Sequence, residues 1–177
     1  MAEEAMDNLI WNDLWVTAHT VKVYELCCSK YADKMRKRKR IFDWYIILMP
    51  SMGALLYSID EVITLIASIL TAIGGLLEKI APTLTQPESE LAEIDNLQTS
   101  FSKILTELED AIHSFRLEPN VSDIHLKGSL KKFKKQIDER KSLMGKLIRK
   151  SPNNDMLNNE ASEYMKLKFT NNYASNE

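Results

Sequence analysis

The chain has 177 residues, 45% of them hydrophobic and 27% charged, with a net charge of −2. Its five glycines form no phosphate-binding loop and its three histidines lie far apart, which excludes the usual nucleotide-loop and histidine-based metal motifs. We therefore predict no enzyme activity, no catalytic or metal-binding residue and no cofactor. The near-neutral total hides a strong segregation of apolar, acidic and basic stretches, which predicts how the chain is organised.

The first predicted element is an amphipathic helix over about Asp7–Lys39, whose apolar residues recur at helical spacing. Trp11 and Trp15 lie one turn apart in it, and a basic run follows. This run comprises Arg36, Lys37, Arg38, Lys39 and Arg40. Both features are typical of anchors at a membrane interface, although the two rings could equally pack against later helices. We interpret the adjacent Cys27 and Cys28 as small packed residues, with lipidation as the alternative.

Two long apolar segments come next, Ile41–Ile59 and Val62–Ala81, separated by Glu61 and by Asp60, a predicted helix cap. A helix crosses a bilayer core with roughly 20 residues, so the pair predicts a two-span transmembrane helical hairpin. Basic residues stay on the cytoplasmic side, which places both termini in the cytoplasm. The alternative is a buried hairpin in a soluble core. Pro50 predicts a kink in the first span.

The second apolar segment carries a stripe of small or weakly polar residues. Thr64, Ser68, Thr71 and Gly75 recur at steps of four, three and four along an otherwise Ile- and Leu-rich helix. One interpretation is close helix packing, which small residues allow in lipid. The other is the lining of an oligomeric pore. No ionisable residue lies at mid-depth, so such a pore would be poorly selective.

Two heptad patterns follow, over Glu88–Glu118 and Asp123–Lys150, and predict two helices that pack lengthwise. The predicted packing residues are Phe101, Leu105, Leu108, Ile112, Phe115, Leu130, Phe133 and Ile137. The first stretch has eight acidic and two basic residues (−6), the second ten basic and three acidic (+7). An antiparallel pair would be electrostatically complementary. Contact of the basic helix with anionic lipid or directly with nucleic acid is the less favoured interpretation.

These patterns predict an all-α membrane protein with four parts. Residues 1–40 form the N-terminal amphipathic cytoplasmic helix with its basic run, and residues 41–81 the transmembrane hairpin. Residues 82–150 form the cytoplasmic antiparallel helical or coiled-coil pair. Residues 151–177 are rich in Asn, Ser and Glu and are predicted to be a flexible polar tail, which orders on binding a partner.

The Trp-bearing helix, the MRKRKR run, the close two-span hairpin and the long cytoplasmic helices together resemble the SLATT family over about Asn8–Lys150. SLATT domains are bacterial two-span effectors found beside nucleotidyltransferases, SLOG-type sensors and, in some members, reverse transcriptases. The resemblance implies an inner-membrane protein of anti-phage defence by abortive infection. It would assemble into an oligomeric pore once such a partner, or its nucleotide or nucleic-acid signal, triggers it. The alternative function is a non-conducting anchor that tethers a cytoplasmic defence complex through its coiled-coil helices.

Overall fold

The computed structural model describes residues 2–56, 61–117 and 123–170, and within these ranges it is helical without any strand. Five helices are described. They are α1 (Ala2–Leu56), α2 (Glu61–Leu84), α3 (Glu88–Leu117), α4 (Asp123–Leu147) and α5 (Asn154–Thr170). The prediction of an all-helical protein is confirmed. The cap predicted at Asp60 lies outside the described residues.

The chain divides into two compact units. The first, which we call the bundle unit, is formed by Met1–Tyr31 and Glu93–Glu177. The second, which we call the apolar unit, is formed by Ala32–Ala92. These boundaries differ from the predicted division at residue 40, because α1 continues without a break through the basic run and into the first apolar segment.

The helix predicted over about Asp7–Lys39 is present, but it does not end at Lys39. Lys, Arg and Met are good helix formers, and neither Gly nor Pro occurs between residues 32 and 48 to end the helix. α1 also continues through Pro50, beside which the Ser51 hydroxyl donates a hydrogen bond of 2.7 Å to the Ile47 carbonyl. The kink at Pro50 stays a prediction.

The bundle unit consists of the first part of α1 with α3, α4 and α5. α1 and α4 run in the same direction, since Lys134 pairs with Asp13 at 2.9 Å and, further along both helices, Lys141 lies over the ring of Tyr24. Tyr24 also contacts Phe101 of α3, with ring centroids 5.5 Å apart. This contact places α3 against α1 in the bundle.

α3 and α5 run in the opposite direction to α1 and α4. The groove between α3 and α4 is lined by Glu93 near the start of α3 and by Leu143 near the end of α4, so these two helices are antiparallel neighbours. Both helices form ion pairs with other helices of the bundle: Lys134 of α4 pairs with Asp13 of α1, and Glu109 of α3 pairs with Lys168 of α5. Acidic and basic charges of α3 and α4 thus bind the flanking helices.

The heptad positions form the core of the bundle unit. Seven of the eight predicted packing side chains are at most 9% exposed, namely Phe101, Leu105, Leu108, Ile112, Leu130, Phe133 and Ile137. The side chain of Phe115, the eighth, lies outside the described residues. Leu14, Val21 and Tyr31 complete this core from α1.

The flexible tail predicted from residue 151 onward is wrong for Asn154–Thr170, which form α5. The Asn-rich composition conceals a stripe at steps of four that packs into the bundle. This stripe comprises Leu157, Ala161, Met165 and Phe169, each at most 6% exposed. Asn153 caps the helix, because its side-chain oxygen accepts a hydrogen bond of 3.0 Å from the Asp155 amide. Residues 171–177 lie outside the described ranges.

Candidate membrane-facing surface

The apolar unit carries most of the large apolar side chains that are exposed in the described residues. Of seventeen such side chains, thirteen lie between Ile41 and Ile80, and these are 37–65% exposed. They are Ile41, Trp44, Tyr45, Ile47, Leu48 and Met52 on α1, and Val62, Leu65, Ile66, Ile69, Ile73, Leu76 and Ile80 on α2. Soluble monomers rarely expose contiguous apolar surface on this scale, which is typical of a membrane or partner contact.

α2 has the dimensions of a membrane span. Within the described ranges, the helical segment Val62–Ala81 is the one that is long and apolar enough to cross a bilayer, with 20 residues, a mean hydropathy of 1.7 and only 11% of its apolar window buried. The other predicted span, Ile41–Ile59, loses its last three residues to the undescribed range. The structure therefore shows one candidate span, and the two-span arrangement stays a prediction.

α2 presents three different faces. Ala67 and Gly74, seven residues apart, are buried and mark the covered face of α2. At about 100° per residue, the predicted stripe lies roughly a quarter turn away from them. Its members Ser68, Thr71 and Gly75 are exposed and Thr64 is half-buried. The large apolar residues occupy the third face.

Two hydroxyl groups of the stripe, those of Ser68 and Thr71, are satisfied within their own helix. Ser68 donates a hydrogen bond of 2.9 Å to the carbonyl of Thr64, and Thr71 donates one of 2.9 Å to the carbonyl of Ala67. Such bonds let a hydroxyl face an apolar environment without an unpaired donor, while its lone pairs remain able to accept from water. A Cβ at Gly75 would meet nothing within 4 Å, so this face has open space beside it. The stripe is thus compatible with either helix packing or pore lining.

The predicted interface anchors separate into two groups. Trp15 packs edge-on against Phe169 of α5, with ring centroids 5.3 Å apart, so its ring lies within the bundle unit, as the packing interpretation expects. Trp11 is half-buried. The aromatic residues that lie beside the basic run are instead Trp44 and Tyr45, which are 60% and 49% exposed.

Sequence reasoning missed Trp44 and Tyr45, although a signal was present. Aromatic side chains just inside the start of an apolar segment, directly after basic residues, are typical of the aromatic belt at a membrane–water interface. Both residues were counted as part of the first apolar segment. Their position one turn beyond Arg40 indicates an interface role, which their hydrophobicity alone does not.

The basic run is partly paired and partly exposed. Lys39 donates a hydrogen bond of 2.6 Å to a carboxylate oxygen of Glu88 at the start of α3, and both residues belong to the apolar unit. This contact raises the pKa of Lys39 and lowers the pKa of Glu88. Arg36 is half-buried. The exposed members are Lys37, Arg38 and Arg40, which we call the basic collar.

A polar cluster holds α5 in the bundle unit. The Tyr164 hydroxyl donates a hydrogen bond of 2.6 Å to Glu109 of α3, and Lys168 lies 3.2 Å from the other carboxylate oxygen. Burial and the adjacent carboxylate raise the pKa of Tyr164, so it stays protonated and keeps donating. Lys22 of α1 lies over the Tyr164 ring at 4.1 Å. The cluster therefore joins three helices and has a structural role.

The adjacent cysteines should be unreactive in the folded protein. Cys27 and Cys28 are buried, burial raises the pKa of both thiols, and that of Cys28 reaches about 12. Because the thiolate is the nucleophile, we expect iodoacetamide at pH 8 to alkylate neither thiol until the bundle unfolds, as measured by mass spectrometry. Because the unfolded chain ionises Cys28 near its ordinary pKa of 9.0 and the folded chain only near 12, the folded state loses stability as the pH rises from 9.0 towards 12. Rapid alkylation under native conditions would contradict the burial.

Within the described ranges, no group of three or more His, Cys, Asp or Glu side chains is arranged to hold a metal ion. Comparison with protein-family models, with curated proteins and with solved structures gave no match. The SLATT resemblance therefore stays a prediction, and the exposed apolar surface of the apolar unit is the feature on which a function can be argued.

Proposed function

We propose that this chain is a membrane-embedded effector of bacterial anti-phage defence that oligomerises into a pore. In this proposal α2 and the second part of α1 cross the inner membrane as a two-span hairpin, and the bundle unit lies in the cytoplasm with both termini. The observation that carries the membrane part is the concentration of exposed large apolar side chains between Ile41 and Ile80. The defence role follows from the SLATT resemblance.

The distribution of these side chains favours a bilayer over a protein partner. A protein partner typically covers one face of a helix, whereas the exposed surface of α2 includes both the large apolar face and the small hydroxyl-bearing stripe. A bilayer surrounds a helix on every side that its own unit leaves uncovered. The 20 residues of Val62–Ala81 span about 30 Å as a helix, which is the thickness of the hydrocarbon core.

The three faces of α2 also suit a ring of copies. In such a ring, the face with Ala67 and Gly74 packs within each protomer, the large apolar face meets lipid, and the stripe turns towards the shared axis. Ser68 and Thr71 would then line a weakly polar path, because their hydroxyl oxygens can still accept hydrogen bonds from water. A homo-oligomer is thus part of the proposal.

Gating would come from the cytoplasmic side. We propose that the bundle unit holds the resting state until a sensor or signal-generating enzyme acts on it, namely a nucleotidyltransferase, a SLOG-type protein or a reverse transcriptase. Such a partner, or its nucleotide or nucleic-acid product, shifts the equilibrium only if it binds the two states with different affinity.

Replacing Ser68 and Thr71 together with leucine should abolish toxicity while leaving the protein in the membrane. Two leucines fill the weakly polar path and remove its hydroxyls, but they keep the segment apolar enough to insert. We would express the chain in bacteria with its genomic neighbours and follow membrane potential with a depolarisation-sensitive dye. Wild type should depolarise the cells rapidly once triggered, and the double variant should not.

The matched control is Ile69→Leu with Ile73→Leu, two changes on the large apolar face of the same helix, which should leave depolarisation unchanged. If the inserted Ser68/Thr71 variant depolarises cells as wild type does, the stripe does not line the pore. If the wild-type protein is inserted but the membrane potential does not change under any condition, the chain is a non-conducting anchor. In that case a foreign two-helix anchor should replace residues 41–81 with activity kept.

A further inference from the structure

We infer that the basic collar on α1 binds the headgroup phosphates of acidic phospholipids in the cytoplasmic leaflet. This inference rests on the proposed membrane insertion and adds the class of lipid that surrounds the protein. It depends on three observations about α1: the exposure of the collar, its distribution around the helix, and the order of side chains beyond it.

The collar is broader than a stripe along one face of α1, because its three positions spread over about 160° of the helix circumference. Lys37, Arg38 and Arg40 are all exposed, and at about 100° per residue they project in three different directions. A flat surface lying along the helix would meet only part of this arc. A plane that crosses the helix axis, such as the surface of a bilayer, meets all three.

The side chains beyond the collar follow the order of a membrane interface. Trp44 and Tyr45 lie one turn after Arg40, and exposed Ile47 and Leu48 come next. At 1.5 Å per residue, Arg40 precedes Trp44 by about 6 Å and Ile47 by about 10 Å along the axis. Apart from Ile41 and Asp43, which are also exposed and lie between Arg40 and Trp44, the side chains run from cationic through amphipathic aromatic to aliphatic, the order of phosphate, ester and acyl-chain depths.

The charge of the collar is available for phosphate. The neighbouring Lys39 is held by Glu88, whereas the three collar side chains are exposed, and the exposed Asp43 lies three residues beyond Arg40. The two arginines can each bind a phosphate with two parallel N–H···O bonds, and cations close to an anionic leaflet attract its lipids. Free nucleic acid offers the same phosphates, but it would leave the adjoining Trp44 and Ile47 exposed to water.

Quenching of tryptophan fluorescence by brominated lipids tests the inference. We would reconstitute the full chain into vesicles of phosphatidylcholine and phosphatidylglycerol, with one or the other lipid brominated, and subtract the signal of a Trp44→Phe variant to isolate Trp44. Wild type should prefer phosphatidylglycerol by about fivefold, the ratio expected for one well-placed cation near an anionic surface. The triple variant Lys37→Gln, Arg38→Gln, Arg40→Gln should lower this preference to less than twofold.

The matched control removes three exposed lysines from α4 in the bundle unit, Lys131→Gln, Lys132→Gln and Lys135→Gln. This control changes the net charge by the same amount as the collar variant and should keep the wild-type preference for phosphatidylglycerol. An unchanged preference in the collar variant, or an equal loss in both variants, would overturn the inference. Quenching by brominated phosphatidylcholine reports insertion independently. If neither brominated lipid quenches Trp44 in wild type, α1 is not in the bilayer, and the proposed function fails together with the inference.

Discussion

Replacing Ile69 with lysine should remove this protein from the membrane. Ile69 lies near the middle of Val62–Ala81 on the large apolar face of α2. Placing a lysine at the centre of a spanning helix costs about 2.5–3.5 kcal/mol of insertion free energy, and losing isoleucine adds a few tenths more. The inserted fraction should fall on the order of 100-fold, measured as protein that resists alkaline carbonate extraction.

The control is the same substitution at an equally exposed position of the bundle unit. Val16 and Ile69 are both 52% exposed, so a protein that met only water on both surfaces would tolerate lysine equally at both sites. We expect Val16→Lys to remain fully in the membrane fraction. Retention of the Ile69→Lys variant at the wild-type level would show that this face of α2 does not meet lipid.

Replacing Phe101 with alanine should destabilise the bundle unit more than any surface change. Phe101 is fully buried and its ring contacts Tyr24 of α1. Removing a buried phenylalanine side chain costs about 3–5 kcal/mol through lost burial and the cavity left behind. For a chain of this size we expect Tm to fall on the order of 10 °C, measured by circular dichroism in detergent.

The comparison variant is Lys103→Ala, two residues further along α3 and exposed. A surface change of this kind should alter the free energy of unfolding by less than about 0.5 kcal/mol. If Phe101→Ala unfolds at the wild-type temperature, the bundle either repacks around the missing ring or does not hold α1 and α3 together as described.

The parts of the structure that could be predicted are those with a clear period. The three- and four-residue steps through Phe101, Leu108 and Ile137 predict which side chains are buried, because a helix that packs lengthwise must repeat its contacts at that interval. The length of Val62–Ala81 likewise predicts a candidate span. In both cases one physical requirement decides the pattern.

Other parts could not be predicted because competing signals were stronger locally. The Asn-rich composition after residue 151 masked the four apolar positions of α5, of which Leu157 and Met165 are almost completely buried. The spacing of Trp11 and Trp15 predicted interface anchors there and not at Trp44, although Trp15 packs on α5. Which face of α2 is buried depends on its partner helix, and spacing alone does not distinguish Ala67 from its neighbour Ser68.

The position of α5 in the bundle also sets an order of events during synthesis. Residues 41–81 leave the ribosome long before Leu157 and Phe169, and at about 5–20 residues per second the interval is roughly 5–20 s. Through that time α1 lacks the helix that covers Trp15 and pairs with Lys30. In the proposed membrane arrangement, each new copy would therefore reach the bilayer before its bundle unit can close. In the proposed oligomer, neighbouring copies would meet there with their bundles still open, and a chain cut short within α5 would remain open permanently.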